Sequence, residues 1–133
     1  MTNYKNIEKL DKQVGEIINQ IKDDGLYENT VIFFFSDHGG PFPRYKRSIY
    51  DTGLKCPLII KWTKPRNEPR NDQMISFIDL APTILELTKT VTNHKTEGVS
   101  FYNQNNRDYI FASTDRFDEY TDRRRCVRNK EFK

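Results

Sequence analysis

A chain of 133 residues in which 35% are hydrophobic is poor in apolar side chains for a self-sufficient domain, yet 13% aromatics argue against disorder. That combination fits a piece of a larger domain whose core is completed by other sequence. A net charge of +3 from 22 basic and 19 acidic residues is too balanced to indicate a nucleic-acid partner.

No apolar stretch approaches the roughly 18 residues that span a bilayer, so no membrane partner is expected. The longest such run, residues 31–35, is strand-sized. Residues 1–5 hold no apolar signal-peptide core. The two cysteines, Cys56 and Cys126, form no CxxC pair and imply no disulfide framework.

In chain order, Ile7, Leu10, Val14, Ile17, Ile18 and Ile21 recur at helical spacing and predict an amphipathic helix. Gly25 suits the left-handed position that closes it. Thr30-Val31-Ile32-Phe33-Phe34-Phe35-Ser36 is a continuous apolar run, the pattern of a strand buried on both faces in a parallel sheet. Helix, turn and buried strand together predict an α/β fold with a mostly parallel sheet flanked by helices. Residues 57–62 predict a second strand, and residues 63–71, with two prolines, a loop. Residues 74–78 read either as a short strand or as the approach to a helix. Asp79-Leu80-Ala81-Pro82-Thr83 is a helix start, with Asp79 able to cap backbone N–H groups and Pro82 tolerated in the first turn. Residues 90–106 are a polar loop, residues 109–112 a third strand, and a further strand begins around Cys126-Val127. No internal repeat or domain boundary interrupts the chain.

Two segments carry chemistry. Ser36-Asp37-His38-Gly39-Gly40 follows the first strand, where open α/β sheets place their ligand sites. A carboxylate beside an imidazole can hold a divalent cation through oxygen and nitrogen. Taken alone, the segment is more simply a turn whose Asp caps backbone N–H groups. The second segment, Lys46-Arg47-Ser48-Ile49-Tyr50-Asp51-Thr52-Gly53, offers two adjacent cations able to neutralise a tetrahedral oxyanion. Alone, these are more simply two surface basics. The run Arg123-Arg124-Arg125, with Asp118, Glu119 and Asp122 nearby, reads as a solvated surface.

Together the segments resemble the sulfatase family of the alkaline-phosphatase superfamily. The family pattern runs from a buried strand to a metal-binding Asp followed by Asn or His and Gly, then Lys-x-Thr/Ser-x-Tyr-Glu/Asp-x-Gly, then a Pro-led strand. The matching residues are Phe33-Phe34-Phe35-Ser36-Asp37-His38-Gly39, Lys46-x-Ser48-x-Tyr50-Asp51-x-Gly53 and Lys55-Cys56-Pro57-Leu58-Ile59-Ile60-Lys61-Trp62. Ile78-Asp79-Leu80-Ala81-Pro82-Thr83 looks like the family's Asp-x-x-Pro-Thr helix start. Asp115-Arg116-Phe117-Asp118-Glu119-Tyr120-Thr121-Asp122-Arg123 with Arg125-x-Val127-Arg128 is similar to one branch of the family near the end of its catalytic domain.

The resemblance implies that residues 1–133 are a partial catalytic domain of a sulfuric ester hydrolase, folded as part of an alkaline-phosphatase-like sandwich. Asp37 and His38 would ligate a divalent metal cation, calcium in most sulfatases, with proton transfer the other role open to His38. Lys46 would contact the sulfate group and the leaving oxygen, with Arg47 as a further substrate-binding cation. Asp79 would be a structural cap, and Asp118, Glu119 and Arg123 would line a substrate subsite or simply form charged surface. The substrate would be a sulfated small molecule or glycan, cleaved as a sulfate ester or sulfamate, and the parent enzyme would be secreted, periplasmic or lysosomal.

The family's nucleophile, a Cys or Ser in Cys/Ser-x-Pro/Ala-x-Arg, has no counterpart here. Cys56 precedes Pro57-Leu58-Ile59-Ile60 and Cys126 precedes Val127-Arg128-Asn129-Lys130. Asp23-Asp24 lies at a helix end and does not match the family's early aspartate pair. The chain alone is therefore expected to bind calcium poorly and to be inactive, as a truncated reading frame or partial transcript would be. Three rivals stand beside this reading: a phosphoesterase or phosphonate hydrolase of the same superfamily, a catalytically inactive sulfatase-like binding protein, and an RNA-binding module built on residues 123–128.

Overall fold

The amphipathic stripe near the amino terminus forms the longest element, helix α1 (Thr2–Asp23). The computed structural model describes residues 2–66, 72–103 and 107–133. Within them, contacts divide the chain into two units, Met1–Ser36 with Pro57–Asn67, and Asp37–Cys56 with Glu68–Lys133.

In the first unit, α1 ends as its sequence predicts. Gly25 takes φ 70°. Its N–H donates to the Lys22 carbonyl at 2.9 Å and the Leu26 N–H donates to the Ile21 carbonyl at 3.0 Å, satisfying carbonyls the helix leaves open. A 3-10 turn (Tyr27–Asn29) leads into strand β1 (Ile32–Phe35), which pairs with β2 (Leu58–Lys61). Lys61 fastens the turn: its ammonium donates to the carbonyls of Tyr27 and Thr30 and lies 4.2 Å from the Tyr27 ring centroid. Trp62 packs edge-on against Phe33, centroids 6.1 Å apart. Ile7, Leu10 and Ile17 of the α1 stripe remain exposed.

The expected parallel sheet is not what forms. Strand β1 runs antiparallel to β2, with Phe35 opposite Leu58 and Ile32 opposite Lys61. Phe34 and Phe35 are exposed rather than buried on both faces. Among the described residues the strands make two separate two-stranded antiparallel sheets, beside three α-helices, and not a helix-flanked parallel sandwich. The apolar run encodes a strand but not its direction. Parallel strands are usually joined by a crossover helix, whereas the link from β1 to β2, though long enough for one, holds only the one-turn helix α2 (Asp51–Leu54).

The second unit contains α2, helix α3 (Leu80–Leu87), and strands β3 (Ile110–Phe117) and β4 (Tyr120–Arg128). Residues 74–76 approach the helix without forming a strand, and a 3-10 turn (Phe77–Asp79) opens it. The described parts of the predicted loops, residues 63–66 and 90–103, are irregular, and residues 67–71 and 104–106 lie outside the described chain. The third strand is longer than residues 109–112 and pairs antiparallel with the fourth as a hairpin. Its turn is Asp118-Glu119, with Phe117 opposite Tyr120 and Asp118 at φ 54°.

The most buried described side chains centre on the start of α3. Asp79 is 2% exposed and Thr83 0%. The Asp79 carboxylate accepts the N–H of Ser76 at 2.8 Å and of Val99 at 2.8 Å. Arg107 grips the same carboxylate with Nε at 3.1 Å and Nη2 at 2.5 Å. Asp79 is thus the structural cap its sequence suggests, serving a capping box begun by Ser76 rather than the first turn of its own helix. Thr83 donates to the Asp79 carbonyl at 2.6 Å and accepts the Phe101 N–H at 3.1 Å. Gly98 passes so close to the Ile78 carbonyl that a side chain there would collide with it.

Candidate metal and anion site

The Asp37 segment leaves the end of β1 and enters a loop that is tied to α2 through the backbone. The Gly39 N–H donates to the Gly53 carbonyl at 3.0 Å, and the Lys46 N–H donates to the Gly40 carbonyl at 3.1 Å. These two bonds join the segments that the sequence separates. Glycine is required at the crossing points. A Cβ on Gly39 would lie 2.9 Å from the Thr52 carbonyl carbon and 3.0 Å from the Gly53 Cα, and one on Gly53 would press on the Tyr45 and Ser48 carbonyl oxygens.

The loop between the two segments is held by hydroxyls. Ser48 donates to the Arg44 carbonyl at 2.6 Å and Thr52 donates to the same oxygen at 2.5 Å. Arg44 and Arg47 both sit at φ 65°, a conformation unfavourable for residues other than glycine. The Arg44 guanidinium stacks 5.8 Å from the Tyr50 centroid.

His38 and Asp37 meet side by side, Nε2 to Oδ2 at 3.4 Å. His38 Nδ1 lies 2.6 Å from the Gly39 carbonyl oxygen. A carbonyl oxygen only accepts, so Nδ1 is the donor in this contact. A carboxylate beside an imidazole is a pair of residue types that can share a cation. The Asp37 side chain is 82% exposed and that of His38 38%. Among the described residues no cluster of three or more His, Cys, Asp or Glu side chains could hold a metal. Asp37 and His38 therefore fit as two donors of a cation site, short of the six to eight oxygens that calcium takes.

Lys46 is exposed, and its ammonium has no hydrogen-bond or ion-pair partner among the described residues. Arg47, by contrast, forms an ion pair with Asp118 of the hairpin turn. Asp51 is bound by Arg128, whose Nη1 lies 2.5 Å from each carboxylate oxygen, and by Lys133 at 2.7 Å. Hydrogen bonding from Lys133 and Arg128 outweighs partial burial and holds the Asp51 carboxyl below its usual range. Burial, helped by the Asp37 charge, pushes the Cys56 thiol up. That coupling marks Cys56 as a neighbour of the acidic segment and makes it a poor nucleophile.

Within the basic run, Arg124 pairs with Asp122 at 2.7 Å and Arg125 with Asp115 at 2.6 Å, consistent with a solvated strand face. Sequence reasoning missed Asp118, Arg107 and Arg128 as the partners of Arg47, Asp79 and Asp51. No local pattern signals ion pairs between residues 28 or more positions apart.

The sulfatase family pattern matches residues 2–91 of the chain. An ulvan-active sulfatase of Formosa agariphila is 48% identical over 98% of the chain and 22% of its own length. Human N-sulphoglucosamine sulphohydrolase is 32% identical over 62% of the chain and 17% of its own length. Bovine N-acetylglucosamine-6-sulfatase is 29% identical over 74% of the chain and 19% of its own length. The chain thus spans about a fifth of the length of these curated relatives.

Proposed function

We propose, for a chain that belongs to the sulfatase family, that Asp37, His38 and Lys46 form part of a site that cleaves sulfate esters or sulfamates on glycans. The observation that supports this reading is the bond from the Lys46 N–H to the Gly40 carbonyl, which ties the backbone of the only lysine of the second segment to the loop two residues past His38. Asp37 and His38 would hold a divalent cation, calcium being the one most sulfatases use. That cation, when bound, polarises oxygen as a Lewis acid.

The chain's own residues do three things. The Gly39 carbonyl accepts from His38 Nδ1 and so orients the ring beside Asp37. The exposed Lys46 ammonium is available to an anion and would stabilise negative charge developing on the leaving oxygen. The crossing glycines hold both segments in one register. Glycan sulfates are favoured as substrates because the relatives' names specify ulvan, N-sulphoglucosamine and N-acetylglucosamine 6-sulfate chemistry. The further metal donors and the nucleophile that such a site requires would have to come from other residues.

A graft tests the reading. The segment of the Formosa ulvan-active sulfatase that aligns with this chain is replaced by the chain itself, and sulfate release from ulvan is measured. A folded chimera that releases sulfate, and loses that activity on Lys46→Ala or Asp37→Asn, is the expected result. A chimera with a cooperative melt but no sulfate release, or one indifferent to both substitutions, overturns it. Release of phosphate from a phosphate monoester, without sulfate release, would move the assignment to phosphoryl transfer.

A further inference from the structure

We infer that Asp118, at the turn of the β3–β4 hairpin, is a positioning residue for Lys46, acting through its ion pair with Arg47. The inference rests on the reading of Lys46 as the anion-binding cation. Three observations carry it. Arg47 follows Lys46 directly and holds φ 65°, a conformation that a side chain with a Cβ resists. Such a conformation persists where surrounding contacts over-determine it, and the contact made by the Arg47 side chain is Asp118. Asp118 is itself at φ 54° in a two-residue turn, a geometry that Asp tolerates better than most residues, so the turn presents the carboxylate at a defined place.

The hairpin is also fixed at its other end. Arg128 in β4 and Lys133 beyond it both bind Asp51 in α2. The segment from Lys46 to Gly53 is therefore braced twice by the same hairpin, at Arg47 by the turn and at Asp51 by the end of β4. Lys46 lies at the edge of the braced segment, with its N–H on the Gly40 carbonyl and its ammonium outward. Engagement by Asp118 also occupies the Arg47 guanidinium, leaving Lys46 as the cation presented to an anion.

The test uses the full chain and inorganic sulfate, followed by NMR. Asp118→Asn keeps the turn preference and removes the charge, and Arg47→Gln removes the other partner. Both substitutions should speed hydrogen exchange at the Lys46 amide and weaken sulfate binding equally, by about two- to fivefold, the range of an exposed ion pair. The double variant should do no more than either single one, and Arg47→Lys should restore most of the protection. The Val99 amide, bonded to Asp79 instead, reports global stability and should not change. Unchanged Lys46 exchange in Asp118→Asn overturns the inference. So does a much larger loss of sulfate binding in Arg47→Gln than in Asp118→Asn, because Arg47 would then be touching the anion itself. Failure of the wild-type chain to bind sulfate, with the exchange pattern intact, refutes the anion role of Lys46 and leaves the positioning pair standing.

Discussion

Arg128 places one nitrogen 2.5 Å from both carboxylate oxygens of Asp51, tying strand β4 to the one-turn helix α2 across 77 positions of sequence. The carboxyl is about half exposed and shares its charge with Lys133 as well, so the tie is an ion-pair network open to solvent. Its strength should follow the ionisation of Asp51.

The sign follows from linkage. The Asp51 pKa is lowered in the folded chain relative to its unfolded value, about 3.9 for a free Asp. The pairing therefore contributes fully above the unfolded value and is lost as pH falls through the lower, folded one. Asp51→Asn should cost about 0.2–1 kcal/mol near neutral pH, the range for partly exposed pairs. Unfolding by urea, followed at pH 7 and again in acid below both pKa values, should show the difference shrinking toward zero. A penalty that is the same at both pH values would mean that the side chain acts through packing and not through charge.

Asp79 stands at the opposite extreme of burial. Its carboxylate is 2% exposed and meets two backbone N–H groups and a bidentate guanidinium. Asp79→Ala would strand the Arg107 charge, 15% exposed, with no carboxylate to meet it. Breaking a buried pair from one side costs about 3–5 kcal/mol, enough to unfold a marginal chain. Chemical denaturation of Asp79→Ala and Arg107→Ala should show both strongly destabilised, and the double variant less so than their sum.

How much of this could be read from the residues depends on the range of each signal. Helix α1 and its Gly25 terminus follow from periodicity and a left-handed glycine, both local. The approach to α3 follows from Asp79 and Pro82 in the same way. The direction of β1 does not, because Ile32-Phe33-Phe34-Phe35 has the same apolar pattern whichever way its partner runs. The β3–β4 hairpin was only half legible. Its turn, Asp118-Glu119, lacks the Asn-Gly or Asp-Gly signature, and Thr121-Asp122-Arg123-Arg124-Arg125 has no apolar alternation to mark a strand. Cross-strand pairs such as Ser113 opposite Arg125 place that polar run on a hairpin. At the candidate site, the motif residues were legible one by one. Their junction through Gly39, Gly53 and the Lys46 N–H is a backbone contact that no side-chain pattern encodes.

The crossing glycines allow that junction to be tested. A methyl group at Gly39 would meet the Thr52–Gly53 backbone, which has no rotamer with which to move away. Gly39→Ala should cost about 1–3 kcal/mol, as overpacking does. It should also break the bond to the Gly53 carbonyl and detach the Asp37 segment from the Lys46 segment. In the grafted enzyme the expected result is loss of sulfate release at a temperature where the fold survives. Gly15→Ala, where a Cβ meets nothing within 4 Å, is the control and should be neutral or slightly stabilising because the glycine lies inside α1.

The Cys56 thiol offers a probe of cation binding at Asp37 that needs no turnover. Burial is the larger cause of its raised pKa and the Asp37 charge the second. A divalent cation on Asp37 would offset that negative charge, lower the thiol pKa, and raise the thiolate fraction that reacts with an alkylating reagent. Alkylation at pH 8, resolved by peptide mass spectrometry, should therefore speed up severalfold at Cys56 when calcium or manganese is added, with Cys126 as the internal reference. Asp37→Asn should give the faster rate without metal and abolish the response to it. If both cysteines respond alike, the metal acts on the chain as a whole and not at Asp37. If Cys56 slows instead, the cation shields the thiol sterically and the electrostatic account of its neighbour fails.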